Sequence, residues 1–207
     1  MLIVLASASP RRQELLRNAA LEFVAKPANI PEIPLEHEAA REFAERMARE
    51  KARAVWNQGS EHKLTTKDTK LREGPQEQKD LYVIGADTVV VVQDQVLGKP
   101  ENEEDAARIL RLLSGREHQV ITGVCLLGND FEDVRSETTA VQFSALGESE
   151  INDYVRSGEP MDKAGAYAIQ GMASKWISKV EGDYSNVVGL PVKLLLQMLR
   201  EHGAIRS

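Results

Sequence analysis

Blocks of apolar residues with different periods succeed one another along the chain. "LIVLAS", residues 2–7, is a short apolar run that predicts a buried first strand. It feeds a helix start at Ser9 and Pro10: the serine can cap, and the missing proline N–H costs nothing in a first turn. "LEFVAK" predicts a second strand and "PANIPEIP" a proline-punctuated loop. Residues 36–57, rich in Ala, Glu and Arg, form the clearest helix. The polar stretch from 57 to 80 has no periodicity and predicts an exposed, mobile insertion, a decoration more than a linker. "LYVIGADTVVVV" reads as a strand and "QVLGKP" as a short strand or turn. "NEEDAARILRLLSG" predicts an amphipathic helix with Ala106, Ile109, Leu110 and Leu113 on one face and Gly115 as terminator. "HQVITGVCLLG" and "SETTAVQFSA" flank the turn signal "GNDFED" and predict a hairpin. A short helix ("ESEINDYVRSG"), a strand and turn ("KWISKVEGDYS") and a closing helix ("PVKLLLQMLREHG") follow. There is no internal repeat. The succession predicts a single α/β unit over residues 1–207 with mixed strand order.

Several charged residues break this pattern. With residues 40–55 placed on a helical wheel, Ala40, Phe43, Ala44, Met47, Ala54 and Val55 share a sector of about 120°. Lys51 lies near its middle, alone among the charged residues of the span. It either snorkels along the core to water or reaches towards an anionic ligand. Asp87 sits inside an apolar run, where an ionised carboxylate is costly without partners. It marks either a tight turn between two strands or a functional group, and the small Gly85 and Ala86 before it imply a bend or a close approach. Arg11 and Arg12 occupy a first helical turn, where the dipole disfavours cations. Either they point into water, or an anion belongs there. Glu32 and Lys99 read as solvated turn residues that matter only in combination.

Composition narrows the class. The chain of 207 residues is 42% hydrophobic and carries a net charge of −6, which argues against a general nucleic-acid or membrane-surface binder. "MLIVLA" is too short for a signal-peptide core, and no run approaches the roughly 20 apolar residues that span a bilayer. The single Cys125 excludes an internal disulfide and a cysteine zinc cluster. A cytoplasmic location is expected. "EPMDKAGAYAIQG", holding Asp162, Lys163 and Gln170, is rich enough in small residues to admit a ligand but matches neither common phosphate-loop pattern. His118 receives no role, and no pattern for zinc or triad hydrolysis appears. Basic Arg11, Arg12, Lys51 and Lys99 beside acidic Asp87 and Glu32 suit a polyphosphate with a divalent cation.

"LASASPRRQELL", "AREKARAV", "GADTVVVVQDQVLGKP", "ARILRLLSGREHQVITGV", "EPMDKAGAYAIQG" and "VVGLP", in this order, resemble the Maf family of nucleotide pyrophosphatases over nearly the whole chain. The extra-long 57–80 stretch is the departure. The resemblance implies a two-lobed, mixed-sheet α/β fold of the inosine-triphosphatase-like type with a central cleft. It implies hydrolysis of a nucleoside triphosphate to monophosphate and pyrophosphate, dependent on a divalent cation, magnesium or manganese. On matching positions, Asp87 would accept the proton of the attacking water, and Glu32, Lys51 and Lys99 would complete the charged cluster, with the metal on Asp87 and Glu32. Arg11, Thr88 and Gln170 mark the dTTP/UTP subgroup, with modified pyrimidine nucleotides as further candidates, and Ser7, Ser9 and Arg12 complete the substrate-binding set. The sister subgroup acting on 7-methyl-GTP departs at the marker positions and is the weaker alternative. A nucleotide-sensing regulator of cell division is the alternative from another class, disfavoured because a binding module has no need of a buried water-activating carboxylate. The expected partners are the nucleotide and a second copy in a homodimer, with no nucleic acid and no membrane.

Overall fold

The computed structural model describes residues 1–65 and 80–206. Strands β1 (Leu2–Leu5), β2 (Val24–Ala25), β3 (Leu81–Val92), β4 (Gln95–Leu97), β5 (Glu117–Leu127), β6 (Glu132–Phe143) and β7 (Ile177–Glu181) form one seven-stranded mixed sheet. Its order is β2-β1-β3-β5-β6-β7, with β4 added to β3. β1 runs parallel to β2 and β3, and every other pairing is antiparallel. The helices are α1 (Pro10–Asn18), α2 (Ala40–Thr65), α3 (Glu103–Leu113), α4 (Glu148–Arg156), α5 (Tyr184–Val188) and α6 (Val192–Glu201).

Helix α2 departs from its expected limits of 36 and 57. Its start is delayed because Glu38 is engaged by the Leu35 N–H and by Arg46, which holds 35–38 as a turn. The Glu42 carboxylate then accepts from the Ala39 N–H at the helix entry. Its far end reaches Thr65, inside the stretch expected to be irregular. No proline interrupts that polar sequence, and a helix already nucleated extends without an apolar face. The remainder of the expected insertion, residues 66–79, lies outside the described residues.

Register explains where an opening forms. β5 pairs with residues 83–91 of β3, so β1, on 81–84, and β4, on 90–92, share the opposite edge. Between them, residues 85–89 of β3 have no strand neighbour on that side. The two largest apolar clusters straddle this gap. One gathers Ile3, Leu5, Leu16, Ile84, Leu126 and Leu195, and the other Val90, Leu97, Leu110, Phe143, Tyr154 and Trp176. Side chains alternate along β3: Val83 and Val89 face α2, whereas Ile84, Ala86 and Val90 face away from it.

Helix α2 rests directly on the sheet. A Cβ on Gly85 would lie 2.0 Å from the Ala48 carbonyl oxygen, and one on Gly123 would lie 2.3 Å from that of Ala44. Ala44, Ala48 and Ala52, all fully buried, form the matching face of the helix. Of the bend or close approach expected at Gly85, the structure shows the close approach, and the β3–β5 register runs through it without a shift.

His118, on β5, is buried among Phe143 and Tyr167, with Nε2 2.7 Å from the Tyr167 hydroxyl. Burial pushes its pKa down to about 4 from an ordinary 6.5.

Two stability predictions follow from these contacts. Gly123→Ala forces a methyl into the α2 backbone and should cost about 1–3 kcal/mol, read as a lower urea midpoint. An unchanged midpoint would contradict the tight seat of α2. Because the folded state disfavours His118 protonation, its contribution is complete above pH 6.5 and is lost as the pH falls towards 4. His118→Gln, which keeps a partner for Tyr167 but does not titrate, should flatten the stability-against-pH curve in that window by on the order of 3 kcal/mol. Parallel curves for the two proteins would refute it.

Candidate active site

Asp87 lies in mid-strand, not in a turn. Alternation aims it at α2, and its cross-strand partner is Gly123, which leaves room above it for the helix. Lys51, one turn beyond the Ala48 contact, is 7% exposed and donates from Nζ to Asp87 Oδ1 at 2.6 Å. The same ammonium donates to Glu32 Oε1 at 2.5 Å, and Lys99 Nζ reaches Glu32 Oε2 at 3.3 Å. Lys51 therefore does not snorkel to water. The chain Asp87–Lys51–Glu32–Lys99 runs from the interior to the surface, from 9% side-chain exposure at Asp87 to 57% at Lys99.

The two carboxylates feel opposite environments. Burial raises the pKa of Asp87, and the pull of Lys51 and Arg12 only partly offsets it. Burial also acts to raise Glu32, but Lys51 and Lys99 outweigh it and hold Glu32 below the usual carboxylate range. Among the described residues no group of three His, Cys, Asp or Glu could hold a metal. Two carboxylates nevertheless fit a magnesium-type ion, which takes its other oxygens from phosphate and water. Asp87 Oδ2 makes no protein hydrogen bond among the described residues.

The turn between β1 and α1 forms the next wall. Ser9 caps α1, its Oγ accepting from the Arg12 N–H at 3.4 Å, and Pro10 opens the helix. Ser7 Oγ accepts from the Ser9 N–H at 3.2 Å. The two arginines part company. Arg12 crosses the gap in the edge of β3: Nε donates to Gly189 O at 2.7 Å, Nη1 to Ala86 O at 2.9 Å and Nη2 to Thr88 Oγ1 at 3.0 Å. Burial lowers its pKa against the pull of Asp87 and Glu32, and a guanidinium stays charged regardless. Its place in the first turn is thereby explained by acceptors within the protein. Arg11 makes no hydrogen bond or ion pair among the described residues; burial acts to raise the pKa of Asp162, but the Lys163 contact and, more weakly, the field of Arg11 hold it below the usual carboxylate range.

These walls enclose a cavity of about 900 Å³. Ser7, Ser9, Arg11, Arg12, Glu32, Lys51, Asp87, Thr88 and Lys99 all line it, together with Asp162, Lys163, Tyr167 and Gly189. Gln170 is exposed and lies outside the lining, so the segment from 163 to 171 brings Lys163 and Tyr167 to the cavity without it. Sequence reasoning anticipated a close approach at Gly85 but missed its partner Gly123 and the Gly189 carbonyl. The pairing of Gly123 with Asp87 becomes visible only once the register is known.

A family model described as "Maf-like protein" matches residues 2–202. A protein of Koribacter versatilis named "dTTP/UTP pyrophosphatase" is 48% identical, over 98% of this chain and 95% of its own length. Proteins of the same name from Symbiobacterium thermophilum and Geobacter sulfurreducens are 45% and 44% identical, covering 97% and 98% of this chain and 94% and 97% of theirs. The match spans nearly the whole chain, which includes every wall of the cavity: the chain belongs to the Maf family.

Proposed function

We propose that this chain is a nucleoside triphosphate pyrophosphatase that hydrolyses dTTP and UTP to the monophosphate and pyrophosphate. The carrying observation is a buried carboxylate of raised pKa, paired with a buried lysine, at the open strand edge of a cavity lined by further cations. The printed names of the relatives support the substrate class. On this reading residues 1–207 work as one unit, and the cavity is the central cleft of a two-lobed, inosine-triphosphatase-like fold.

Asp87 serves as general base. Lys51 holds Oδ1 and keeps the carboxylate ionised, which leaves Oδ2 to take a proton from water. The water oxygen bonds to phosphorus, the phosphoanhydride P–O bond breaks, and pyrophosphate leaves. Arg11 and Lys99, both in the lining, neutralise phosphate oxygens. A divalent cation, magnesium or manganese, would be held by Asp87 and Glu32 and would supply further charge neutralisation on the phosphates. Gln170 is assigned to the base edge, where its amide offers both a donor and an acceptor. That contact requires its segment to fold inward on binding.

Values of kcat/KM for dTTP, UTP, CTP, GTP and 7-methyl-GTP test the reading, with the first two expected to lead. Equal or higher values for the guanine nucleotides would overturn the substrate class. Asp87→Asn should lower kcat about a hundredfold or more without unfolding the protein; near-normal turnover would remove Asp87 as base. Lys51→Met takes away the main counter-charge of Asp87, whose pKa then rises further. The acid limb of the pH–kcat/KM profile should move to higher pH, with activity at pH 7 down about tenfold or more. An unmoved limb would show that the pair does not govern the base.

A further inference from the structure

Thr88 faces away from Asp87, into a polar chain that leaves the cavity and crosses the sheet. Its Oγ1 accepts from Arg12 Nη2 at 3.0 Å and lies 3.0 Å from Thr122 Oγ1 and 3.4 Å from Gly189 O. Thr122, its cross-strand partner, is fully buried, lies outside the cavity lining and donates to Asn186 O at 3.1 Å. A hydroxyl has one hydrogen. Thr122 commits its hydrogen to Asn186, so the shorter Thr88–Thr122 contact takes the hydrogen of Thr88. The chain therefore has a direction, Arg12 to Thr88 to Thr122 to the Asn186 carbonyl, and it starts on a cation.

Its far end is anchored. The buried Asn186 side chain donates from Nδ2 to Val120 O at 2.9 Å and to Thr139 Oγ1 at 3.0 Å. Thr139 in turn donates to Asp183 O at 3.0 Å. At the near end, Nε and Nη1 of Arg12 are held by Gly189 O, Ala86 O and Ser7 Oγ, leaving little of the guanidinium free. Linked hydrogen bonds in a low-dielectric interior reinforce one another, and a missing member leaves the next one unpaired.

We propose that Arg12 is a positioning residue, fixed by the directed chain through Thr88 and Thr122 to Asn186, and that it staples the β1–α1 turn and the 187–189 wall to β3 around the substrate. Thr88 then acts through Arg12, because its hydrogen is committed inside the protein. Phosphate contact at this turn falls to Arg11. The activity arm of the test rests on the triphosphate reading above, and the spectroscopic arm does not.

Thr122→Val removes the hydroxyl at nearly constant volume, and Thr122→Ser keeps it. In the ligand-free protein, the Arg12 Nε–H resonance, assigned by its loss in Arg12→Lys, should exchange slowly with water in the parent and in Thr122→Ser, and at least about tenfold faster in Thr122→Val. With UTP, at a temperature where circular dichroism shows each variant folded, Thr122→Val should lower kcat about tenfold while Thr122→Ser retains it. In an Arg12→Lys background the valine change should add about twofold or less. Should Thr122→Val not fold, Thr122→Ala serves in its place. Unaltered exchange and kcat in Thr122→Val, equal damage from serine, or full additivity with Arg12→Lys would each overturn the proposal. A parent protein that hydrolyses no nucleotide would sink the triphosphate reading, and the Nε–H exchange would still decide this one.

Discussion

A carboxylate in the middle of an apolar strand needs a cation close by, and much of this molecule follows from supplying one. Asp87 is only 7% exposed, because β3 is paired along β5 and covered by α2, and it meets solvent only through the cavity. The cation that contacts Asp87 comes from the helix, and its reach depends on how closely the helix is seated. Gly85 and Gly123 remove the Cβ atoms that would lift α2, and Ala44, Ala48 and Ala52 remove bulk from the helix side. With the backbones in contact, Lys51 delivers its ammonium to Asp87 Oδ1. Burying two charges costs several kcal/mol per ion, and the pair recovers it only through tight geometry and a second acceptor, Glu32. A buried pair of this kind is poor value for stability. It is the device by which a carboxylate stays ionised while its affinity for a proton is raised.

The period of a β-strand then distributes roles. Asp87 and Thr88 are adjacent in sequence and face opposite sides of the sheet, one to α2 and one to the Arg12 network. The cavity reaches both because the edge of β3 is uncovered between β1 and β4. A continuous strand on that edge would bury the Ala86 carbonyl in a ladder and deny it to Arg12. Charges are graded as well: Asp87 is deepest, Glu32 bridges, and Lys99 stands nearest the surface.

Much of this was legible in the sequence, for definite reasons. Apolar runs with turn signals located most of the strands, with β4 left open between strand and turn and the polar start of β6 taken as part of the turn, and Gly115 ended α3 as a left-handed glycine. Lys51 was conspicuous because a charge at the centre of an apolar helical sector has few explanations, and Asp87 because its flanks are aliphatic. The limits of α2 were not legible: a turn held by Glu38 looks like helix in composition, and a polar extension gives no periodic signal. The fate of Arg12 was equally hidden. Its acceptors, Ala86 and Gly189, are backbone carbonyls far apart in the chain, and backbone groups leave no trace in residue type.

The account rests on Asp87 being a base of raised proton affinity held ionised by Lys51. The most direct measurement is a ¹³C NMR titration of the Asp87 carboxyl in chelator-treated protein, assigned by comparison with Asp87→Asn. The account predicts a midpoint clearly above the ordinary aspartate value of 3.8, because burial outweighs the pull of Lys51 and Arg12. A midpoint at or below that value would contradict it.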